Sequence, residues 1–225
     1  MQKRVVAVDI DGVLADFNKP FAGLLIKAQG EDLLPNGWQD AEASNPEWVT
    51  CWDWPSHYGY TKISQELAWH EARESGDFWY RLPAYKEAQV VLDTLNDLVN
   101  ADEIDLYFIT HRFGSRAKQS TEMWLYDRGL LNPTVLVTGN KIPVLKGLGT
   151  DFFIDDRLET VIQAHRAGLS KGVYLLDRPW NRAGRHDAGC PAEDLEEGCY
   201  CSLHDLQVVE TVEEALRRED LWTAQ

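Results

Sequence analysis

The sequence predicts an α/β fold: a doubly wound parallel sheet covered on both faces by helices, with a small helical unit inserted after the first strand. Three observations carry this. Four apolar residues, Val5 to Val8, run straight into acids at Asp9 and Asp11, as a buried parallel strand does when it delivers carboxylates to the carboxyl edge of a sheet. From Tyr85 onward, strand-like and helix-like segments alternate, which implies parallel strands joined by helical crossovers. Between the two lies a long interval, Asn18 to Pro83, with little strand character and six of the nine tryptophans.

The elements follow in order. After Asp11, Gly12 permits a tight turn whose bare amides can approach an anion. KPFAGLLIKAQG reads as a short helix, with Phe21, Leu24, Leu25 and Ala28 near helical spacing and Gly30 as its stop. Pro35, Pro46 and Pro55 then keep the chain irregular. TKISQELAWHEARESG resumes as a helix, with Ile63, Leu67 and His70 on one side and Gly76 at its end. The tryptophans of this interval, Trp38, Trp48, Trp52, Trp54, Trp69 and Trp79, fit two roles. They are large enough to form the core of a small helical unit, and their faces suit a lid that stacks on a planar ligand such as a nucleobase.

In the second part, YKEAQVVLDTLNDLV is an amphipathic helix with Ala88, Val91, Leu92, Leu95 and Leu98 on its buried stripe. DLYFITHR is a buried strand ending at Thr110. SRAKQSTEMWLYDRGL is a helix capped by Ser115 and stopped by Gly129. TVLVTG is a strand, IPVLKGLG a short helix opened near Pro143, and DFFIDDR a further strand. LETVIQAHRAG is a helix ending at Gly168, GVYLLDRPWN a fifth strand, and TVEEALRR a closing helix with a capping box at Thr211 and Glu214.

With 225 residues the chain has room for one core domain and a small accessory one, by a prior of about 100–200 residues per domain. The expected division is a core of residues 1–17 and 84–225 and a Trp-rich helical cap of residues 18–83. A net charge of −15 disfavours duplex nucleic acid, whose binding rests on Lys and Arg neutralising phosphates. No apolar run approaches the ~20 residues of a membrane span, and the first residues lack a signal-peptide pattern. A cytoplasmic protein is expected, and four cysteines need no disulfide framework.

Because strand ends remote in sequence meet at the edge of a doubly wound sheet, Asp9, Asp11, Thr110, Asp155 and Asp156 should converge, with Lys141 as a nearby cation. Several packed carboxylates repel one another unless a divalent ion neutralises them, and oxygen-only ligation favours magnesium over zinc. Lys141 is preferred to Lys146 as the cation because it follows the strand end directly, while Lys146 falls in mid-helix, the usual place of a solvated lysine.

DIDGVLAD, the strand ending in Thr110, Lys141 and FFIDDR, in that order, resemble the four motifs of the haloacid dehalogenase (HAD) superfamily of phosphohydrolases. DGVLADF, GDFWYRLP, the IDDR ending and DRPWN look like its 5'-nucleotidase branch, which includes the 5'(3')-deoxyribonucleotidases. The resemblance implies a Rossmann-like core with a small helical cap. It implies Asp9 as the nucleophile that takes the phosphoryl group and Asp11 as acid and then base. Magnesium would lie on Asp9, the backbone carbonyl of Asp11 and Asp155. Thr110 and Lys141 would hold the phosphoryl group, with His111 grouped beside them, and Asp156 would orient Lys141 or metal-bound water. For His111 and Arg112, substrate contact and a plain loop role both stand.

The expected reaction is release of the 5'-phosphate from a (deoxy)nucleoside monophosphate. Its rivals are a phosphatase for another small metabolite or a polynucleotide end, and a non-catalytic nucleotide-binding module on the same fold. The partner is then a small phosphate monoester, with no duplex nucleic acid and no membrane, and a homodimer stays open. A second candidate site is the loop carrying His186, Cys190, Cys199, Cys201 and His204, whose residue types suit a structural zinc although no Cys-x-x-Cys knuckle is present.

Overall fold

A computed structural model of the chain describes residues 3–40, 46–169, 172–186 and 206–222. Its strands are β1 (Arg4–Val8), β2 (Ile104–Thr110), β3 (Thr134–Val137), β4 (Phe152–Asp155), β5 (Val173–Leu176) and β6 (Gln207–Val209). They form one sheet in the order β3-β2-β1-β4-β5-β6, and every pairing is parallel. The order turns outward from β1 in both directions, so the crevice at the carboxyl ends of β1, β2 and β4 is where a ligand is expected.

Side chains alternate across the sheet and feed two apolar clusters. Val6, Val8, Phe152, Ile154, Tyr174 and Leu176 belong to one, while Ala7, Phe153, Val173 and Leu175 belong to the other. The first is covered by α4 (Ala88–Asn100), α5 (Ala117–Tyr126) and α9 (Val212–Arg218), the second by α6 (Lys141–Leu148) and α7 (Leu158–Arg166). The stripe read on α4 is the buried one, Ala88, Val91, Leu92, Leu95 and Leu98. Thr211 caps α9 by accepting from the Glu214 N–H.

The insert between β1 and α4 contains α1 (Asn18–Gln29), α2 (Trp54–His57) and α3 (Lys62–Glu74). Its root is a pair of crossing segments: Ala15 bridges Ala84, the Asp16 N–H donates to the Pro83 carbonyl and the Tyr85 N–H to that of Leu14. Phe21, Trp48 and Trp54 run into the same apolar cluster as β1, so the insert shares its core with the sheet. Among its tryptophans Trp38, Trp48, Trp54 and Trp79 are buried and Trp52 is exposed.

Four elements differ from expectation. On α3 the buried residues are Ser64, Ala68 and Ala72, while Ile63 and Leu67 are 71% and 52% exposed. The small face is inward because α3 packs against α1, where the Phe21 and Trp69 rings, 4.4 Å apart, already fill the interface. Helix α5 starts at Ala117 with Arg116 at its N-cap position and no side-chain cap, because Gly114, at φ 101° against the Arg73 backbone, turns the chain before Ser115 can serve. Strand β5 ends at Leu176, not Asn181, and Pro179 opens α8 (Pro179–His186), in keeping with proline's preference for a first helical position. Strand β6 had no reading; three residues are too short to show a period. No helix among the described residues is long and apolar enough to cross a membrane.

Candidate active site

Asp9 follows β1 directly, and its N–H still donates to the Ile154 carbonyl on β4, which fixes it at the sheet edge. Thr110 is the last residue of β2 and Asp155 the last of β4. Lys141 is the first residue of α6, capped by the Asn140 side chain after β3. Its Nζ lies 2.8 Å from Asp9 Oδ1 and 2.7 Å from Asp155 Oδ2. Lys146 is exposed on the same helix.

These groups are almost dry. Asp9, Thr110, Lys141, Asp155 and Asp156 are all buried. Burial pushes the Asp9 carboxyl up to about 7; the Lys141 charge opposes this, and the Asp155 and Asp11 charges add to it. Asp156 is raised well above the ordinary carboxylate range by burial, then by Asp155 and Asp9. Burial works against the Lys141 charge, but Asp155 and Asp9 outweigh it and the ammonium is held more firmly than usual. One cation among three buried acids leaves negative charge uncompensated.

That excess fits a divalent ion. Asp9, Asp155 and Asp156 each place a carboxylate oxygen within 4.8 Å of the others. Asp9 Oδ1 is paired with the Lys141 ammonium at 2.8 Å and accepts no further hydrogen bond among the described residues. A buried carboxylate oxygen with acceptor capacity left over is the kind of atom a hard cation satisfies. Asp155 has both oxygens engaged, Oδ2 by Lys141 and Oδ1 by the Arg157 N–H at 2.7 Å. Asp156 has Oδ2 engaged by Trp180 Nε1 at 2.7 Å and no donor on Oδ1 among the described residues.

Asp11 is held differently. Arg112 donates from Nε to Oδ2 at 2.9 Å and from Nη2 to Oδ1 at 2.7 Å, a two-pronged grip, and Thr110 Oγ1 adds a third donor at 3.3 Å. The guanidinium is fully buried, donates to Thr121 Oγ1 and lies over the Trp79 ring, 5.1 Å from its centre. Arg112 is thus beneath Asp11 rather than in the cavity, whereas His111 lines it. Burial, Arg157 and Lys141 lower the His111 pKa below its usual 6.5, so the ring is neutral near pH 7.

The segment after β5, which the sequence marked only by resemblance, braces the site from behind. Arg178 Nε donates to the Gly12 carbonyl at 2.7 Å, and Asn181 Nδ2 donates to the Asp156 carbonyl at 2.8 Å. Gly12 has φ 79°, and a Cβ there would overlap the Asp156 carboxylate, so only glycine fits. An arginine and a tryptophan directly behind a buried strand end are the signal that could have revealed this brace. The expected zinc ligands Cys190, Cys199, Cys201 and His204 lie outside the described residues, as does the side chain of His186.

A cavity of about 530 Å³ opens over the acids, lined by Asp9, Asp11, Thr110, Lys141, Asp155 and Asp156 on its floor and by Phe17, Trp52, Trp69, Trp79 and Phe113 on one wall. Arg157 stacks over the exposed Trp52 ring at 5.1 Å and so spans from the β4 loop to the insert. A carboxylate paired with one ammonium, a second carboxylate held in place beside it and a hydroxyl together suit displacement at a phosphoryl centre.

No protein-family model and no curated protein matches this sequence. Solved structures do match over their whole length. A haloacid dehalogenase-like hydrolase from Burkholderia xenovorans LB400 superposes with a TM-score of 0.55 at 14% identity, covering 100% of both chains. A protein from Thermotoga maritima assigned as a β-phosphoglucomutase gives 0.52 at 15% identity, covering 96% of this chain and 98% of its own. The HAD-hydrolase YfnB from Bacillus subtilis, solved bound to magnesium, gives 0.51 at 15%, covering 98% and 100%. This chain therefore has the fold of the HAD-like hydrolases.

Proposed function

We propose that the protein is a magnesium-dependent phosphatase that releases the 5'-phosphate of (deoxy)nucleoside monophosphates, with residues 18–83 as a cap over the site and 1–17 with 84–225 as its core. The observation that carries this reading is the Asp9 and Asp11 pair on the floor of one cavity, one carboxylate paired with Lys141 and the other gripped by Arg112.

In the first step an Asp9 carboxylate oxygen attacks phosphorus, the bond to the leaving oxygen breaks, and Asp11 gives that oxygen its proton. In the second, Asp11 takes a proton from water, the water oxygen attacks phosphorus, and the acyl phosphate on Asp9 is released as inorganic phosphate. Thr110 would turn its one O–H from Asp11 to a phosphoryl oxygen, and Lys141 stabilises charge on phosphate and nucleophile. Asp9, the Asp11 carbonyl and Asp156 would hold magnesium, Asp156 in place of the expected Asp155 because both Asp155 oxygens are engaged while Asp156 Oδ1 receives no donor among the described residues; Asp155 would instead keep Lys141 in place. When bound, the ion supplies charge neutralisation on the phosphoryl oxygens. The nucleotide half of the reading is supported by the aromatic wall of Phe17, Trp52 and Trp69, whose rings suit stacking on a base.

The test is phosphate release from a panel of nucleoside monophosphates, sugar phosphates and 4-nitrophenyl phosphate, with magnesium and with chelator, for the native chain and Asp9→Asn. Turnover of nucleotides that vanishes with chelator and in Asp9→Asn is expected. Activity that survives Asp9→Asn would overturn the assignment of the nucleophile, and nucleotide binding without release would point to a binding module.

A further inference from the structure

A second cavity, about 360 Å³, lies beyond Asp11. It shares Asp11, Asp156, Phe17, Trp52 and Trp69 with the first cavity, but Asp9, Thr110 and Lys141 do not line it. If Asp9 is the nucleophile, in-line displacement puts the leaving oxygen on the far side of phosphorus, facing the group that protonates it. That group is Asp11, which borders both cavities. The phosphoryl group therefore belongs to the first cavity and the leaving group to the second.

The lining of the second cavity limits what can leave. Its walls are rings, including Phe21 and Trp54, which favour a flat group. Among the described residues it is lined by no Lys, Arg or His, and its charged members are the acids Asp11, Asp53 and Asp156. An additional phosphate near Asp53 would meet like charge, with no lining cation among the described residues to offset it.

Two amides on the lining have their orientation fixed by partners of a single kind. Asn18 Oδ1 accepts from Trp54 Nε1, a donor that can never accept, so Nδ2 remains to donate. Gln65 Nε2 donates to the Tyr60 carbonyl, an acceptor that can never donate, and to Ser56 Oγ, so Oε1 remains to accept. The cavity thus offers one N–H donor and one carbonyl acceptor between aromatic faces, the complement of a nucleobase edge that carries an acceptor and a donor.

We propose that this second cavity selects an uncharged nucleoside as leaving group, that Asn18 and Gln65 grip the edge of its base, and that Asp53 disfavours a substrate with a second phosphate. This deepens the nucleotidase reading and rests on it.

The experiment measures kcat/KM with magnesium for nucleoside 5'-monophosphates, the matching 3',5'-bisphosphates and 4-nitrophenyl phosphate. Asn18→Asp keeps the acceptor for Trp54 and removes the donor; Gln65→Leu removes the acceptor. Each should lower the nucleotide-to-aryl ratio of kcat/KM by about tenfold or more, the loss of one hydrogen bond to the base. Asp53→Lys should raise the bisphosphate-to-monophosphate ratio. Ratios unmoved by all three variants, in an enzyme that still prefers nucleotides, would overturn this inference and leave the proposed function standing. A native enzyme that turns over 4-nitrophenyl phosphate with no preference for nucleotides would overturn both.

Discussion

Trp180 Nε1 donates to Asp156 Oδ2 at 2.7 Å, and the same oxygen fills the space that a Cβ on Gly12 would take. The acid is therefore held between the loop after β1 and the start of α8. Trp180→Phe keeps the ring and removes the donor, leaving a buried carboxylate oxygen unsatisfied. We expect a stability loss of about 1–3 kcal/mol by urea denaturation. Magnesium affinity, read by calorimetry, should fall about tenfold or more, because the oriented ligand is lost. Unchanged affinity would mean that the indole only packs.

Lys141 and Lys146 separate a buried cation from a surface one on the same helix. Lys141→Met leaves Asp9 and Asp155 facing each other with no counter-charge, a loss of about 3–5 kcal/mol when a buried pair is broken from one side. Lys146→Met should stay within about 0.5 kcal/mol. Denaturation of the two variants without magnesium checks this, and equal midpoints would contradict the ion pairs.

Arg112 acts through Asp11. Arg112→Lys keeps the charge but loses the two-pronged grip. With a general acid less well aimed, kcat for a nucleoside monophosphate should fall about 10–100-fold, part of the ~10²–10⁴ that proton transfer contributes. 4-Nitrophenyl phosphate, whose leaving group needs no proton, should lose far less; equal losses would show that Arg112 does more than aim Asp11.

His111 gives a pH signature. Its folded pKa lies below the unfolded 6.5, so the folded chain binds fewer protons just below pH 6.5, and stability falls as pH drops through that value. The melting temperature of the native chain should decline between pH 7 and pH 5 more steeply than that of His111→Asn. Parallel curves would mean the ring is not desolvated.

The sheet and the acids were legible because each depends on local pattern: an apolar run followed by a carboxylate or Thr110 announces a strand end, and the parallel fold gathers strand ends. The braces were not. Arg178 reaches the Gly12 carbonyl, and Arg112 reaches Asp11, across long sequence separations that leave no period in the chain. On α3 the usual rule that the larger apolar residues face inward failed, because Phe21 of α1 and Trp69 of α3 itself fill the interface and leave Ser64, Ala68 and Ala72 as the buried residues. Pinned amides such as Asn18 and Gln65 read in sequence as ordinary polar residues, and only their fixed partners give them a direction.

Strand β1 has a further consequence in its pairing. Val6 is matched to Leu106 on one side and Phe152 on the other, so the strand that leads to Asp9 is paired with strands about 100 and about 146 residues further along the chain. Loops of that length close late in folding, after local helices have formed. On the proposed activity, the return of phosphate release during refolding would time the closing of the sheet, not the formation of helices.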